Sequence, residues 1–283
     1  MCAHELGTSD WGDWLPRDVA EADPDGVDIW YLGCNGFVLK AADGTTVLID
    51  PYCGLGDPPR TVRMIPVPFD PDAFADIVDP DAVLATHEHA DHVHEETQAP
   101  LVAGGAMYFA PDDSIAVVEE EDWITRDGVD DADFETVAEG DTIGVGSLTV
   151  QVEPAHDPDA THPVSYVIEH EAGRFFHGGD ARPGDAFDSV GDRYDIDLGA
   201  LAFGSSGMLA DKETREPTYT RWYSSPNDIA EAAAQLELDR LLPSHWDVWK
   251  GLTADPRSVR DHARSFVHPR AVEVVELGDR VSL

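Results

Sequence analysis

Short apolar runs, separated by glycine and aspartate, follow a polar start to the chain. Three of these runs have the length and composition of strands: residues 27–32, 37–41 and 45–49. Asp43-Gly44, between the last two runs, is the signature of a tight hairpin. Residues 1–26 are polar and rich in Asp, Pro and Gly. We expect this N-terminal extension to be anchored on the body by Trp11 and Trp14.

From residue 72 onward, runs of strand length alternate with stretches of helical character. Strands are predicted at residues 82–85, 106–109, 147–152, 164–169, 174–177, 198–203, 240–242 and 271–277. Helices are predicted at residues 72–78, 111–121, 225–238 and 255–267. The sequence contains no repeat or linker, so we expect residues 1–283 to form one α/β domain. This order of elements predicts two sheets packed face to face, with helices outside.

The charge balance indicates the environment of the protein. The chain carries 57 acidic residues against 18 basic ones, a formal net charge of −39. Disorder does not explain this composition, because 42% of the residues are hydrophobic and they are grouped into strand-like runs. In molar salt the Debye length falls to about 3 Å, which screens self-repulsion, so we expect a halophilic protein. The same charge disfavours nucleic acid as a partner.

The sequence predicts a cytoplasmic protein with reduced thiols. No apolar run approaches the roughly 20 residues that a membrane span requires, and the N-terminus does not resemble a secretory signal. We therefore expect no membrane partner. The three cysteines, Cys2, Cys34 and Cys53, have no Cys-x-x-Cys spacing. Cys34 and Cys53 lie beside glycines, where a packing role is favoured over a chemical one.

The segment His87-x-His89-x-Asp91-His92 directly follows the predicted strand at residues 82–85. Imidazole nitrogens and carboxylate oxygens bind Zn²⁺ and similar ions where thiolates are absent. Residues two apart project to the same side of an extended turn, so His87 and His89 can bind one ion. Asp91 and His92, past the bend, face a second position. A solvated polar loop is the alternative, and the density of ligand-type residues argues against it.

Further ligand-type residues stand where later predicted strands end. His156, Asp180 and His245 each follow such a strand within a few positions. Because strand ends meet at one edge of a sheet, we expect these side chains to converge on the histidine-rich segment.

Three polar neighbours of these positions have other interpretations. His94 could support a ligand by a hydrogen bond, but a solvent-facing residue that opens the following helix is the favoured interpretation. His177 is expected to pack or to form a hydrogen bond rather than to bind an ion. Asp50 closes a strand, and the sequence leaves two roles open for it, which are support of the histidine segment and capping of a turn.

The chain resembles the metallo-β-lactamase superfamily in the order of four features. These are the histidine-rich segment with its preceding Thr86, a later His, a Gly-Asp after a strand and a last His after another strand. The resemblance implies a four-layer αββα sandwich of two mixed sheets. It also implies two divalent metal ions. The implied ligands are His87, His89 and His156 on one ion, Asp91, His92 and His245 on the other, and Asp180 as the bridge between them.

Flanking segments are similar to one branch of that superfamily, the L-ascorbate-6-phosphate lactonases. These segments cover nearly the whole chain and are more specific than the metal motif. They are Asp10-Trp11-Gly12-Asp13-Trp14-Leu15, Trp30-Tyr31-Leu32-Gly33-Cys34-Asn35-Gly36-Phe37, Ile49-Asp50-Pro51-Tyr52-Cys53-Gly54, Asp81-Ala82-Val83-Leu84-Ala85-Thr86-His87 and Pro243-Ser244-His245-Trp246-Asp247-Val248-Trp249.

The resemblance implies a hydrolase that opens the lactone of a sugar acid, with L-ascorbate 6-phosphate as the specific candidate. A hydroxide bound by the two ions would attack the carbonyl carbon. Asp91 is the candidate catalytic residue, which orients the nucleophile or carries a proton to the leaving ring oxygen. Zn²⁺ and Mn²⁺ both suit a site of nitrogen and oxygen donors, and the lactonase resemblance favours Mn²⁺.

A phosphorylated small-molecule substrate requires cations, which are few in this chain. The substrate-binding candidates lie in loops near the expected metal edge: Lys212, Arg182, Arg215 and Lys250. Each of them has an alternative interpretation as an ordinary surface charge.

Two other functions stay open at this point. One is phosphodiester hydrolysis on the same two-ion site, and the other is a non-catalytic metal-binding protein of the same fold. The presence of all seven ligand-type residues favours an active enzyme. The sequence does not determine the oligomeric state, and a homo-oligomer is left open.

Overall fold

The computed structural model describes residues 9–54, 66–204, 206–211, 214–247 and 253–283, with strands numbered along the chain. Seven strands form the first sheet: β1 Val27–Gly33, β2 Gly36–Ala41, β3 Thr46–Ile49, β4 Ala82–Leu84, β5 Met107–Ala110, β6 Phe134–Thr136 and β16 Arg280–Ser282. Their spatial order is β16-β1-β2-β3-β4-β5-β6. The pairs from β16 to β3 are antiparallel, and those from β3 to β6 are parallel.

The second sheet also has seven strands: β7 Thr142–Val145, β8 Leu148–Pro154, β9 Val164–His170, β10 Gly173–His177, β11 Leu198–Ala202, β14 Arg240–Ser244 and β15 Ala271–Val272. They lie in the order β15-β14-β11-β10-β9-β8-β7. Strands β7 to β10 pair antiparallel, whereas β10, β11, β14 and β15 pair parallel. A separate antiparallel hairpin consists of β12 Ser206–Ala210 and β13 Pro217–Arg221.

Helices cover the outer face of each sheet. Those against the first sheet are α1 Trp14–Glu21, α2 Pro71–Val78, α3 Glu95–Ala103 and α4 Asp112–Glu120. Those against the second sheet are α5 Asp185–Gly191, α6 Pro226–Gln235 and α7 Arg257–Ala263. Short 3-10 turns occur at Trp123–Thr125 and Asp131–Asp133.

The alternation of side chains along each strand separates three apolar cores. In β1, Ile29 and Tyr31 point into the core between the two sheets, whereas Trp30 and Leu32 point towards the helices of the first sheet. Because both faces of this strand are covered, residues 27–33 are all buried. A third core lies between the second sheet and α5, α6 and α7. The result is the four-layer arrangement of helices, sheet, sheet and helices that the sequence predicts.

The predicted extension packs onto the first sheet, but not mainly through its tryptophans. In α1, Leu15 and Val19 are fully buried, whereas Trp14 is 52% exposed. The indole nitrogen of Trp30 donates a hydrogen bond of 2.8 Å to Asp18. The amphipathic helix therefore anchors the described part of the extension.

Candidate metal centre

Segments that follow strands at one edge of the two sheets bring ligand-type side chains together. In the first sheet, the residues after β3 and β4 carry Asp50 and the histidine-rich segment at 86–92. In the second sheet, the residues after β8, β10 and β14 approach the same edge. These strands supply the remaining donors, Asp157, Asp180 and His245.

One group, which we call site 1, consists of His87, His89, Asp157 and Asp180, whose ligand atoms all lie within 4.8 Å of one another. His87 Nε2 lies 2.9 Å from His89 Nδ1 and 3.7 Å from Asp157 Oδ2. Asp157 Oδ2 is also 3.9 Å from His89 Nδ1. These atoms come from both sheets, and they surround a space that one ion could fill.

A second group, which we call site 2, consists of Asp91, His92, Asp180 and His245. His245 Nε2 lies 3.2 Å from Asp91 Oδ2 and 3.5 Å from Asp180 Oδ1. The other oxygen of Asp180 is 3.4 Å from His92 Nε2. Asp180 thus belongs to both groups, in the position that the resemblance implies for a bridge.

His156 does not join either group, contrary to the ligand assignment that the resemblance implies. Its side chain is exposed, and its carbonyl oxygen accepts a 2.8 Å hydrogen bond from the amide of Arg182. The neighbouring Asp157 is buried and takes the place in site 1. Asp157 Oδ1 accepts a hydrogen bond from the amide of Asp159 at 3.0 Å, which holds the side chain in a tight local turn. His156 and Asp157 are both ligand-type residues, and the sequence alone did not indicate which of the two faces inward.

Asp50 supports the histidine segment, one of the two roles left open by the sequence. Its carboxylate accepts hydrogen bonds from the amide and the hydroxyl of Thr86 at 2.8 and 2.7 Å. The other ring nitrogen of a site 2 ligand, His92 Nδ1, lies 2.8 Å from Asp50 Oδ2. A carboxylate behind an imidazole fixes the orientation of the ring and leaves Nε2 facing the ion position.

His177 forms a hydrogen bond away from the two groups, as expected from its strand position. Its Nε2 lies 2.9 Å from the carbonyl oxygen of Asn35, and its Nδ1 accepts from the amide of Gly179 at 3.3 Å. Asn35 in turn donates to Asp180 at 3.4 Å. This chain of contacts positions the shared carboxylate.

The electrostatic balance of the two groups favours a cation. Burial would raise the pKa of the Asp91 carboxyl, but the His92 and His245 imidazoles lower it to about 2. The same imidazoles hold the pKa of Asp180 well below its usual range in spite of burial. Burial and the adjacent His92 lower the pKa of His87 to about 3, so this imidazole is neutral. Around His92, burial is outweighed by Asp50, Asp180 and Asp91, which raise its pKa well above the usual value.

Two buried atoms at the centre fit a bound metal ion. His92 Nε2 and Asp157 Oδ2 are buried without a hydrogen-bond partner in the part of the chain that the structure describes. An unpaired buried polar atom costs about 1–3 kcal/mol, which a metal ligand bond would offset. One of these atoms belongs to site 1 and the other to site 2. The donor set of imidazoles and carboxylates suits Zn²⁺ and Mn²⁺, so the residues fit the two divalent ions.

An open cavity of about 330 Å³ adjoins the two groups. Its lining combines carboxylates with an aromatic wall and consists of His89, Asp91, Asp157, Asp159, Asp180, Trp222 and Tyr223. The Tyr223 ring stacks on that of His245, with 3.9 Å between centroids. The cavity could admit a small molecule to both ion positions.

The two substrate-binding candidates that the structure describes, Arg182 and Arg215, are not brought together. Arg182 lies at the rim, where its guanidinium is 3.4 Å from the Asp159 carboxylate and donates to the carbonyl oxygen of Trp222 at 3.0 Å. Arg215 is exposed in the turn between β12 and β13 and does not line the cavity. Lys212 and Lys250 lie outside the described residues.

Two interpretations made from the sequence need revision. His94 is fully buried, not solvent-facing, and its Nδ1 lies 2.8 Å from the Thr97 hydroxyl. Cys34 is also fully buried, but its sulfur lies 3.7 Å from Asp91 Oδ2 and 3.6 Å from His245 Nε2. Burial and the carboxylates of Asp91 and Asp180 raise the pKa of the Cys34 thiol well above its usual value. The adjacent glycines pointed to packing, and nothing local predicted this polar environment.

The described helices are all too short or too polar to cross a membrane.

Comparisons with known proteins identify relatives of the chain. A family model described as "Beta-lactamase superfamily domain" matches residues 45–246. A protein of Salmonella heidelberg named "Probable L-ascorbate-6-phosphate lactonase UlaG" is 25% identical over 298 residues, which cover 89% of this chain and 78% of the relative.

Solved structures show the same fold. Igni18, a metallo hydrolase from the archaeon Ignicoccus hospitalis, has a TM-score of 0.65 at 18% identity, covering 90% of this chain and 97% of its own. CmlA, a diiron beta-hydroxylase from Streptomyces venezuelae, has a TM-score of 0.64 at 17% identity, covering 93% of this chain and 55% of its own. The predicted metallo-β-lactamase fold is confirmed. Because one neighbour is a hydroxylase, the fold alone does not determine the reaction.

The family match spans most of the chain and includes nearly all of the donors gathered at the sheet edge. The protein therefore belongs to the β-lactamase superfamily, as a metallo-β-lactamase-fold hydrolase.

Proposed function

We propose that this protein opens the lactone ring of a sugar acid with the help of two divalent ions. The observation that carries the proposal is the pair of donor groups that share Asp180 at the floor of an open cavity. The lactonase name of the Salmonella relative supports a cyclic ester as the substrate class. The seven residues that we propose as ligands are His87, His89 and Asp157 in site 1, Asp91, His92 and His245 in site 2, and Asp180 in both.

The chain's own residues would hold and orient the reactants. Two bound divalent ions supply Lewis acidity and lower the pKa of a water molecule towards neutrality. Asp91 lines the cavity with 12% of its side chain exposed, and its pKa of about 2 keeps it ionised at neutral pH. We propose that this carboxylate orients the attacking water by accepting its hydrogen bond. The water oxygen would form a bond to the carbonyl carbon, the bond from that carbon to the ring oxygen would break, and the ring oxygen would take the proton that the water loses.

The charge of the cavity favours a lactone over a phosphodiester. Asp159 lines it beside the proposed ligands, and the nearby Arg182 is already paired with Asp159. A diester phosphate carries a permanent negative charge, which the Asp159 carboxylate repels, whereas an unphosphorylated lactone ring is neutral. Arg182 is our candidate contact for a phosphate or sugar hydroxyl at the rim.

A substrate panel tests the proposal. Protein loaded with Zn²⁺ or Mn²⁺ would be assayed against sugar-acid lactones, with and without a phosphate, and against a p-nitrophenyl phosphodiester. We expect proton release from the lactones that is lost after chelation and in His245→Ala. Turnover of the diester alone would show that the substrate class is wrong. Absence of all turnover by protein with both ions bound would favour a non-catalytic role.

We also propose that the protein works in the cytoplasm of a halophile. The net charge of −39 supports this environment, because so acidic a chain needs high salt to screen its self-repulsion.

A further inference from the structure

We infer that the Cys34 thiolate is a ligand of the ion in site 2, together with Asp91 and His245. The inference rests on the two-ion site of the proposed function and adds a sulfur donor to it. Cys34 Sγ, Asp91 Oδ2 and His245 Nε2 form a compact triangle of buried ligand atoms. The edges measure 3.7 Å from Sγ to Asp91, 3.6 Å from Sγ to His245 and 3.2 Å from His245 to Asp91. The sulfur also lies 3.7 Å from His245 Nδ1, so it rests against the imidazole ring, and a rotation about the Cα–Cβ bond of Cys34 would bring it to an ion at Nε2.

The triangle has the size of a face of a tetrahedral coordination shell. With metal–sulfur bonds of about 2.3 Å and metal–nitrogen or metal–oxygen bonds of about 2.1 Å, tetrahedral angles place ligand atoms roughly 3.4–3.6 Å apart. Each observed edge is within a few tenths of an ångström of that range. His92 Nε2, 3.9 Å from Asp91 Oδ2, and Asp180 Oδ1, 3.5 Å from His245 Nε2, border the same position, so Cys34 would be a fifth donor to the ion in site 2.

The backbone around Cys34 is fastened to the segment that carries His245. The carbonyl oxygen of Cys34 accepts a hydrogen bond from the His245 amide at 2.6 Å and one from the Tyr31 hydroxyl at 2.9 Å. The amide of Cys34 donates to Asp247 at 3.2 Å. Cys34 and His245 both adopt positive φ angles, of 54° and 65°, which few side chains tolerate. These contacts hold the sulfur beside the imidazole.

The second described cysteine shows what a packing role looks like. Cys53 is also buried, but it belongs to the apolar core between the first sheet and its helices. Its sulfur lies 3.9 Å from the carbonyl oxygen of Phe69. Cys34 belongs to none of the three apolar cores formed by the described residues, and a carboxylate and an imidazole surround its sulfur instead.

A thiolate would change the metal preference of the centre. On binding, the thiol loses one proton to solvent and its sulfur forms the bond to the ion. Thiolate is a soft donor that favours Zn²⁺ and Co²⁺ over Mn²⁺, in contrast to the preference that the lactonase resemblance implies. Replacing the sulfur by oxygen should therefore lower the ratio of Zn²⁺ to Mn²⁺ bound in competition.

Cobalt substitution tests the inference without relying on activity. The metal-free full-length protein would be loaded with Co²⁺ and its ion content measured beside its absorption spectrum. We expect a near-ultraviolet thiolate-to-cobalt charge-transfer band in the wild type and in Cys53→Ser, and its loss in Cys34→Ser. In a competition of Zn²⁺ with Mn²⁺, Cys34→Ser should bind less zinc relative to manganese by about tenfold or more, because loss of a ligand should cost at least as much as the about 10–100-fold of losing a residue that only supports one.

Wild-type protein that binds two Co²⁺ ions without this band would overturn the inference, and this outcome needs no variant to fold. It would leave Cys34 as a thiol donor to Asp91. A band that persists in Cys34→Ser would also overturn it. If the band appears as expected but no lactone is hydrolysed, the proposed function fails while the ligand assignment stands. If the protein binds two Co²⁺ ions without the band but hydrolyses a lactone, the ligand assignment fails while the proposed function stands.

Discussion

Asp50 does not line the cavity, but its carboxylate forms three hydrogen bonds to the loop that carries four proposed ligands. Asp50→Asn keeps the size of the side chain, and Asn tolerates the φ of 45° at this position. The variant loses the charge behind His92, so we expect metal affinity to fall by about 10–100-fold with the fold retained. Competition with a chelator measures the change.

Asp81→Asn is the matched control for this variant. Like Asp50, Asp81 accepts a 2.8 Å hydrogen bond from a backbone amide, in this case that of Thr46. Asp81 is exposed, however, and it precedes β4, whereas the histidine-rich segment follows β4. Its metal affinity should equal that of the wild type. Equal affinities in all three proteins would show that Asp50 does not position the ligand.

The choice between His156 and Asp157 is open to a direct test. We expect Asp157→Ala to lose most of the metal bound at site 1, because a buried ligand oxygen is removed. His156→Ala, which alters an exposed side chain one position earlier, should keep the metal content unchanged. Metal analysis after dialysis distinguishes the two. The reverse pattern would restore His156 as the ligand that the resemblance implies.

Donors that lie close together in the sequence could be predicted as a group, whereas isolated donors could not. His87, His89, Asp91 and His92 lie within six positions, so the sequence itself groups them. Asp157 and Cys34 carry no such signal. Their places depend on an inward turn after β8 and on a positive φ between β1 and β2, which only the packed chain fixes.

The hairpins of the two sheets meet at Gly146, between β7 and β8. This glycine has a φ of +52°, and an added Cβ would overlap the side chain of Thr45, which lies in the hairpin between β2 and β3 of the first sheet. Gly146→Ala should cost about 1–2 kcal/mol for the backbone and about 1–3 kcal/mol more for the overlap. Gly140→Ala is the control, since its φ is also positive but its surroundings are open.

Denaturant unfolding at fixed salt measures both glycine variants. We expect Gly146→Ala to be the less stable of the two. Equal free energies of unfolding would mean that the contact with Thr45 relaxes without cost.

Helices and strands with a regular spacing of apolar residues could be predicted from the sequence, whereas short or polar elements could not. The predicted helix at 72–78 matches α2 within one residue, and Asp70 caps it as its polarity suggests. The predicted strand at 271–277 is wrong beyond Val272, where the described chain leaves the sheet and returns only as β16. Strands β12 and β13 have no buried face, and their mixture of polar and apolar residues gave no strand signal.

At the scale of the whole molecule, the acidic surface should make stability depend on salt. Self-repulsion from a net charge of −39 opposes the compact state and is screened as ionic strength rises. We expect Tm to rise by roughly 10 °C or more between 0.1 and 2 M KCl, since about 1 kcal/mol corresponds to about 2–4 °C in a chain of this size.

A non-ionic osmolyte at matched osmolality is the control for this measurement, because it stabilises by exclusion without screening charge. A Tm that is independent of KCl, or that rises equally with the osmolyte, would argue against halophilic adaptation.

The central claim is that residues from both sheets converge to hold two ions. Metal content per chain tests it most directly, measured on protein loaded with Zn²⁺ or Mn²⁺ and then desalted. We expect about two ions per chain in the wild type and about one or fewer in His245→Ala, whose altered residue lies far along the chain from the histidine-rich segment. A wild type that retains no ion, or a His245→Ala protein that retains the full number, would contradict it.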